Sequence, residues 1–252
     1  MYGVTFLSSF LLFATLQLLC DAFPSWDLSI QRPLNPHEAT TSIKGTRQAL
    51  KDAGIIPDVL DDFEPSVSIL LSYPSKHKSV TLGNKIKPKA VASQPIFDIF
   101  ASDTTPTRTV KDNATYTLVL TDPDATSRAD PVKAQMCHWV ATNITKQHDA
   151  DISGGFEHLL SLAFDKSSGG SGIHELMPYV PPSPPPKTGY HRYVFVILAP
   201  ATDADPPKDL KRPKDRPHWG YGKVGAGVRE WAEENDLVAV GANFFYSQNK
   251  KQ

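Results

Sequence analysis

The sequence predicts a single, mainly β domain with peripheral helices. Short runs rich in β-branched and aromatic residues recur from residue 67 onward, separated by proline, glycine and lysine turns. Helical features are concentrated in two segments, near residues 36–53 and 227–235. No repeat or break in composition divides the 252 residues, of which 40% are hydrophobic and 21% charged. We therefore expect one core rather than several.

The elements before residue 101 are predicted from caps and short periodic runs. Asn35 suits an N-cap and Pro36 the first helical position, so a helix is predicted from Pro36 to Ala53, ending at Gly54. Strands are then predicted at residues 67–73, 79–82, 89–92 and 96–100.

Two apolar strands joined by a polar connection form the central part of the chain. The first, from Thr115 to Leu120, runs into Asp122-Pro123-Asp124, where proline ends the strand pattern. The second, predicted from residue 138 to 144, begins with His138. A long connection between adjacent strands would bring Asp122, Asp124 and His138 to the same end of a sheet.

The remaining elements follow in order after this pair. Residues 147–172 are predicted to form a long surface excursion, and six of the nine residues from Pro178 to Pro186 are proline, which predicts a stiff wall. Further predictions are a buried strand (194–198), a charged excursion (203–217), a helix (227–235), a strand (238–246) and a frayed tail (247–252).

The first 22 residues have the length and apolar character of a cleaved secretory signal. The mature domain is then 23–252, with an extension and helix over 23–54, destined for the extracellular space or the vacuolar lumen. The sequons at Asn113 and Asn143 agree with export and predict glycosylation. Cleavage would remove Cys20 and leave Cys137 as a lone, buried small hydrophobe.

The balance of charge argues against nucleic acid as a partner. The formal net charge is −1, and loss of Asp21 with the signal brings it to about zero. We expect membrane contact to be peripheral at most. The loose lysine run from Lys76 to Lys89 is interpreted as a solvated face or a guard of a sheet edge.

Three apparent catalytic or cofactor motifs fail on context. The run Gly220 to Gly225 matches a dinucleotide fingerprint but follows prolines rather than a buried strand. Ser171 lacks the last glycine of a nucleophile elbow, and His174-Glu175 lacks the second histidine of a zinc-protease helix. We therefore expect no catalytic residues, no cofactor and no bound metal.

The remaining constellation consists of polar residues at the ends of apolar strands: Asp122, Asp124, His138, His191 and Tyr193. Taken singly, each is more often a turn former or a satisfied structural group than a ligand contact. Arg128 and Arg192 are candidates to support the site by neutralising the aspartates through bidentate pairs.

Two segments of this constellation resemble the signatures of the phosphatidylethanolamine-binding protein family: residues 122–128 with Cys137-His138-Trp139, and residues 189–193. The resemblance extends from about residue 56 to 246 and is strongest for the plant and fungal branches, including the carboxypeptidase-inhibitor members. It implies a large central sheet packed on a smaller one, with a small anion pocket.

The resemblance also implies roles for individual residues. Asp122 and Asp124 match the aspartates of the family's first motif, and His138 matches its pocket histidine. His191 and Tyr193 match the second motif, and Pro186 and Gly189 belong to the pocket wall. Thr126 departs from the proline usual in the first motif.

These residues favour a secreted, non-enzymatic protein that binds phosphate, carboxylate or phospholipid head groups. Imidazole and phenol groups donate to an anion, while the aspartates orient the imidazoles. The family resemblance adds an alternative, inhibition of a serine carboxypeptidase. A metal-dependent hydrolase using Asp122, Asp124, His138 and His191 ranks third.

Overall fold

Two β-sheets of unequal size form the core of the structure, a computed structural model that describes residues 45–101, 115–145, 173–201 and 209–252. The described strands are β1 (Val67–Tyr73), β2 (Lys78–Ser79), β3 (Asn84–Lys85), β4 (Ile96–Ala101), β5 (Thr115–Asp122), β6 (Met136–Thr145), β7 (His174–Met177), β8 (His191–Pro200) and β9 (Leu237–Ser247). The small sheet has the order β2-β1-β4, and the large one β3-β9-β8-β5-β6-β7. The predicted mainly β, two-sheet architecture is confirmed.

The large sheet is antiparallel except at its edge, where β3 pairs in parallel with β9. Strand β5 lies between β8 and β6 and runs antiparallel to both. The end of β5 therefore lies beside the beginnings of β6 and β8. This topology brings residues distant in sequence to one end of the sheet.

The large sheet is covered on both faces, and β8 shows this most clearly. Tyr193, Phe195 and Ile197 pack towards β1 of the small sheet. Val194 and Val196 pack into a second apolar cluster on the opposite face. A strand buried on both sides needs apolar residues without alternation, which explains the run Val194-Phe-Val-Ile-Leu198.

The second face of the large sheet is covered by helices and loops. Helix α1 is described over residues 45–52 and is followed by a single helical turn, Ile55–Asp58. Helix α2 (Val228–Glu234) begins after Gly227, whose N–H donates to Glu230 Oε2 at 2.8 Å. Trp219 and Trp231 fill the space between these segments and the sheet.

Most of the predicted elements are present with small changes in their bounds. Strands predicted at 67–73, 96–100, 115–120, 138–144, 194–198 and 238–246 correspond to β1, β4, β5, β6, β8 and β9. The helix predicted at 227–235 is α2, and the first helix ends where Gly54 adopts φ 66°. Gly220 ends a 3₁₀ turn (His218–Gly220) and residues 221–225 form a loop, in agreement with the predicted loop.

Two short strand predictions between β1 and β4 are wrong in detail. Residues 89–92 do not form a strand, because Pro88 starts a 3₁₀ turn, Pro88–Ala90, whose first carbonyl accepts from Val91 N–H. The strand predicted over 79–82 is reduced to β2, since Leu82 and Gly83 turn the chain with positive φ.

Two further differences concern residues after 172. His174 and Glu175 lie in the edge strand β7, which the sequence analysis missed. The prediction of a frayed tail is also wrong, because residues 249–252 hydrogen-bond to the turn 184–189, as described below.

Several predictions fall wholly or partly outside the described residues: the signal 1–22, the extension and first helix before residue 45, the excursion 147–172, residues 202–208 of the second excursion, and Asn113. Asn143 is described; it is exposed and adopts φ 61° at an irregularity of the β5–β6 pairing. In the described ranges, no helix is long and apolar enough to cross a membrane.

Candidate functional site

The ends of β5, β6 and β8 bring together four of the residues singled out from the sequence. Asp122 closes β5, His138 lies near the start of β6, and His191 and Tyr193 open β8. Their relative exposures are only 3%, 7%, 1% and 1%, respectively. A ligand therefore reaches them only if part of the surrounding wall moves aside.

Asp122 and His191 form the centre of this cluster. His191 Nδ1 lies 2.9 Å from Asp122 Oδ2, and both groups are buried. The other oxygen, Asp122 Oδ1, accepts from Asp124 N–H at 2.8 Å. The carboxylate is thus fixed by the backbone on one side and fixes the imidazole on the other.

Thr188 contacts Nε2, the second ring nitrogen of His191. Its Oγ1 lies 2.9 Å from His191 Nε2 and 2.8 Å from Pro185 O. Because a carbonyl oxygen only accepts, the single hydroxyl proton goes to Pro185, and the hydroxyl oxygen is left to accept from Nε2. Both nitrogens of His191 therefore face hydrogen-bond acceptors.

Tyr193 packs between the two histidines. Its ring stacks on His191 with centroids 6.3 Å apart and meets His138 edge-on at 5.4 Å. Burial raises the pKa of Tyr193 well above its ordinary value, and the Asp122 carboxylate adds to this by its charge and by accepting from the phenol. Tyr193 therefore stays a neutral hydrogen-bond donor.

His138 differs from His191 in its hydrogen-bond partners. His138 Nδ1 lies 2.8 Å from the carbonyl oxygen of Val180, so Nδ1 carries a proton and donates it. Burial lowers the pKa of His138, although the nearby Asp122 charge acts in the opposite direction. We assign a neutral ring whose Nε2 has no hydrogen-bond partner among the described residues and can accept from a ligand.

Asp124 has a different role from its neighbour Asp122. Its Oδ2 accepts from Arg192 N at 2.8 Å and Nε at 3.0 Å, while Oδ1 accepts from Arg192 Nη2 at 2.7 Å. With both oxygens occupied by the same arginine, Asp124 faces the helix layer rather than the cluster. Of the two arginines predicted to pair with the aspartates, Arg192 makes the bidentate contact. Arg128 is exposed and instead donates to Ala53 O at 3.4 Å.

The proline-rich wall lies directly over the cluster. Pro186 is exposed, and Gly189 turns the chain with φ 74° into β8. Residues 249–252 hold this turn through three contacts: Asn249 Nδ2 to Pro184 O at 3.0 Å, Lys187 N to Lys251 O at 2.9 Å, and Gly189 N to Gln252 Oε1 at 3.0 Å. The tail thus stabilises the wall that covers His191.

The sequence analysis missed two hydroxyls of this site. Thr188 was not singled out, although it lies three residues before His191. Ser247 pairs directly opposite His191, and its hydroxyl is fully buried with no hydrogen-bond partner in the described structure. Extending the alternation of the last strand by one residue beyond Tyr246 would have placed Ser247 on the same face as His191.

No group of three or more His, Cys, Asp or Glu side chains within the described ranges is arranged to hold a metal ion. Asp122 and His191 bind each other, and Asp124 is held by Arg192. These contacts use the groups of Asp122, Asp124 and His191 that the hydrolase hypothesis would assign to a metal.

Two sheets with a buried imidazole and carboxylate cluster at one end define a protein of the phosphatidylethanolamine-binding type. The model of the phosphatidylethanolamine-binding protein family matches residues 76–245, and the chain belongs to this family. The resemblance inferred from the two signature segments is thereby confirmed.

The similar proteins include an inhibitor of known target. The chain is 33% identical over 226 residues to the carboxypeptidase Y inhibitor of Saccharomyces cerevisiae, covering 85% of this chain and all of that protein. It also resembles the crystal structure of carboxypeptidase Y inhibitor complexed with the cognate proteinase, with TM-score 0.66, 31% identity, and coverage of 84% and 97%. The phosphatidylethanolamine-binding protein of Plasmodium vivax, at TM-score 0.55 and 23% identity, covers 81% of this chain and 98% of its own and shares the fold.

The neutral state of His138 predicts a pH dependence of stability. The pKa of His138 is lower in the folded protein than in the unfolded chain. As the pH falls through about 6.5, the imidazole therefore becomes protonated only in the unfolded chain. Stability from His138 is therefore complete above that pH and decreases below it, by at most about 1.4 kcal/mol per pH unit. Urea unfolding between pH 5 and 7.5 should show a flatter pH profile for His138→Asn than for the wild type.

His174→Asn is the matched control, because it makes the same substitution at an exposed position of the edge strand β7. Its pH profile should run parallel to that of the wild type. Parallel profiles for all three proteins would show that His138 does not fold as a buried neutral ring.

Proposed function

We propose that this protein is a non-enzymatic inhibitor of a serine carboxypeptidase. The similarity to the yeast carboxypeptidase Y inhibitor carries the proposal, since it spans all of that protein and includes its solved complex with a proteinase. The signal-like segment 1–22 favours an encounter in the secretory pathway or beyond it.

The state of two potential nucleophiles supports inhibition rather than catalysis. Burial raises the pKa of Cys137 to about 12, so its thiol is not ionised at neutral pH. Thr188, His191 and Asp122 form a chain of three contacting groups that resembles a catalytic triad. The Thr188 hydroxyl proton, however, is donated to Pro185 O. His191 therefore does not activate this hydroxyl in the observed arrangement.

Inhibition should appear as a concentration-dependent loss of peptidase rate. The purified chain should abolish hydrolysis of a blocked dipeptide by carboxypeptidase Y at micromolar inhibitor, and a serine endopeptidase assayed in parallel should be unaffected. Mass spectrometry of the mixture distinguishes inhibition from cleavage of the added chain as a competing substrate, because an inhibitor stays intact. An undiminished peptidase rate at micromolar inhibitor would exclude this function.

The geometry of the strand-end cluster favours a second function, the binding of a small anion. His191 Nε2 can donate to an anion once the Thr188 oxygen is displaced, and the buried hydroxyl of Ser247 lies opposite on the neighbouring strand. His138 Nε2 offers an acceptor. The cluster therefore suits a ligand that carries both negative charge and a proton, such as a phosphate monoester or the zwitterionic head group of a phospholipid.

The burial of the cluster limits the size of this ligand. Asp122, His191 and Tyr193 are almost inaccessible, and the turn 184–189 covers them. Displacement of Thr188 would free His191 Nε2 for a compact head group. Because charge-assisted hydrogen bonds contribute about 1.5–3 kcal/mol each, two or three of them give roughly millimolar to micromolar affinity.

Calorimetry with O-phosphoethanolamine and with inorganic phosphate tests this binding. His191→Ala should weaken it roughly tenfold to a hundredfold, since one charge-assisted bond is lost. His138→Asn should weaken O-phosphoethanolamine binding by removing the acceptor at Nε2. His174→Ala, on the exposed edge strand β7, is the control and should leave the isotherm unchanged. Equal isotherms for all four proteins would rule out the cluster as the binding site.

A further inference from the structure

A small pocket lies at the end of the large sheet opposite to the strand-end cluster. It is formed where β5 and β9 begin and β6 and β8 end, beside the first residues of β7. Its volume is about 180 Å³. Sites for drug-sized ligands usually enclose roughly 300–1,000 Å³, so this pocket suits a single ring rather than a lipid or a nucleotide.

The lining of this pocket is partly apolar and partly polar. It combines three leucine side chains with two hydroxyl groups and one carboxylate: Leu176, Leu210, Leu237, Thr115, Thr117 and Asp209. The Asp209 carboxylate accepts hydrogen bonds and repels anions, which distinguishes this pocket from the strand-end cluster. An uncharged ring with both hydroxyl groups and apolar faces, such as a monosaccharide, matches this lining.

Asn143 lies at the rim of the pocket because β6 bulges there. The register of the β5–β6 pairing shifts, so that Thr117 of β5 faces both Thr142 and Asn143 of β6. Asn143 adopts φ 61°, a left-handed conformation that asparagine tolerates better than most residues. It is exposed, whereas Thr142 is buried. Among the described residues the Asn143 amide has no hydrogen-bond partner, so a substituent on it breaks none of the described hydrogen bonds.

The sequence Asn143-Ile144-Thr145 is an acceptor for N-linked glycosylation. The co-reactant is an oligosaccharide linked to a lipid through pyrophosphate. The Asn143 side-chain nitrogen forms a bond to C1 of the first N-acetylglucosamine and loses one proton. The bond between C1 and the pyrophosphate oxygen breaks, and the lipid pyrophosphate leaves with the electron pair.

We propose that Asn143 carries an N-linked glycan and that the pocket binds the first N-acetylglucosamine of this glycan. The sugar is attached directly to the rim, so it enters the pocket without the entropy cost of bringing in a free ligand. Its hydroxyl and acetamide groups can pair with Thr115, Thr117 and Asp209, while its acetyl methyl group packs on the leucines. Modification requires the predicted export of the chain and depends on neither peptidase inhibition nor anion binding.

The bound sugar would cover part of an exposed sheet edge. Strand β7 is the last strand in the order of the large sheet and has only four residues. It is held to β6 partly by Thr142 Oγ1, which donates to His174 O at 3.1 Å. Edge strands present unpaired backbone groups that can pair with other chains. A sugar between Asn143 and Leu176 shields the start of this edge.

Mass spectrometry of the secreted chain tests the modification. Asn113→Gln leaves Asn143 as the one remaining sequon, and the full chain is expressed in a eukaryotic host. Enzymatic removal of the glycan in ¹⁸O-water converts a glycosylated asparagine to labelled aspartate, and the label should appear at residue 143. An unmodified Asn143, whether the chain is exported or retained, would overturn the proposal.

Thermal unfolding tests whether the sugar binds the pocket. Thr145→Val removes the sequon and Thr145→Ser keeps it, both in the Asn113→Gln background. After trimming to one N-acetylglucosamine, the serine variant should gain roughly 2–4 °C in Tm over the valine variant, a change typical of a few added contacts in a domain of this size. The same pair made in bacteria, where neither protein is modified, supplies the baseline that is subtracted.

Two leucine variants assign this gain to the pocket. Leu210→Ala removes part of the lining and should abolish most of the gain, whereas Leu70→Ala should preserve it. Leu70 is the matched control because it is also half-buried and lies in β1 of the small sheet. In the trimmed protein, nuclear Overhauser contacts should join the acetyl methyl group to Leu176. Equal gains in the two leucine variants, or no gain from the sugar, would overturn the proposal.

Discussion

The buried guanidinium of Arg192 holds the site end of the molecule together. Its Nε and Nη2 donate to Asp124 in the β5–β6 connection. Its Nη1 donates to Ala53 O at 3.0 Å, Gly54 O at 2.9 Å and Asp58 Oδ2 at 2.8 Å. One side chain thus joins the central sheet, the loop after β5 and the end of α1. Each of its three side-chain nitrogens has an acceptor, which helps the fold tolerate a charge that is only 3% exposed.

The position of Arg192 explains the arrangement of its neighbours. Side chains alternate along a strand, so fixing Arg192 towards the helix layer directs His191 and Tyr193 to the opposite face. The two aspartates differ in function because Asp122 ends β5 and orients His191, whereas Asp124 lies in the turn that follows and holds Arg192. Two acids two residues apart therefore belong to different networks.

The sequence predicted the strand ends and most of the cluster, because Asp122, His138, His191 and Tyr193 interrupt strongly apolar runs. It did not reveal that Ala53 and Gly54 supply carbonyl acceptors to Arg192, since such contacts depend on the packing of distant segments. The strand β7 was missed because His174-Glu-Leu-Met177 lacks β-branched residues and is stabilised by pairing with β6 and by Trp139 Nε1 donating to Glu175 at 2.6 Å. Residues 249–252 looked like a polar tail, and their hydrogen bonds to the turn 184–189 depend on packing that the sequence does not reveal.

The division of labour between the two aspartates is tested most directly by measuring unfolding free energy and phosphate affinity for Asp124→Asn and Asp122→Asn. Asp124→Asn leaves the buried Arg192 charge with only the half-exposed Asp58 carboxylate as counter-charge, and it should cost about 3 kcal/mol of stability while the folded protein keeps its phosphate affinity. Asp122→Asn should cost less stability but weaken phosphate binding roughly tenfold, because the support of His191 is lost. The opposite pattern, with Asp124→Asn stable but unable to bind phosphate, would contradict this account.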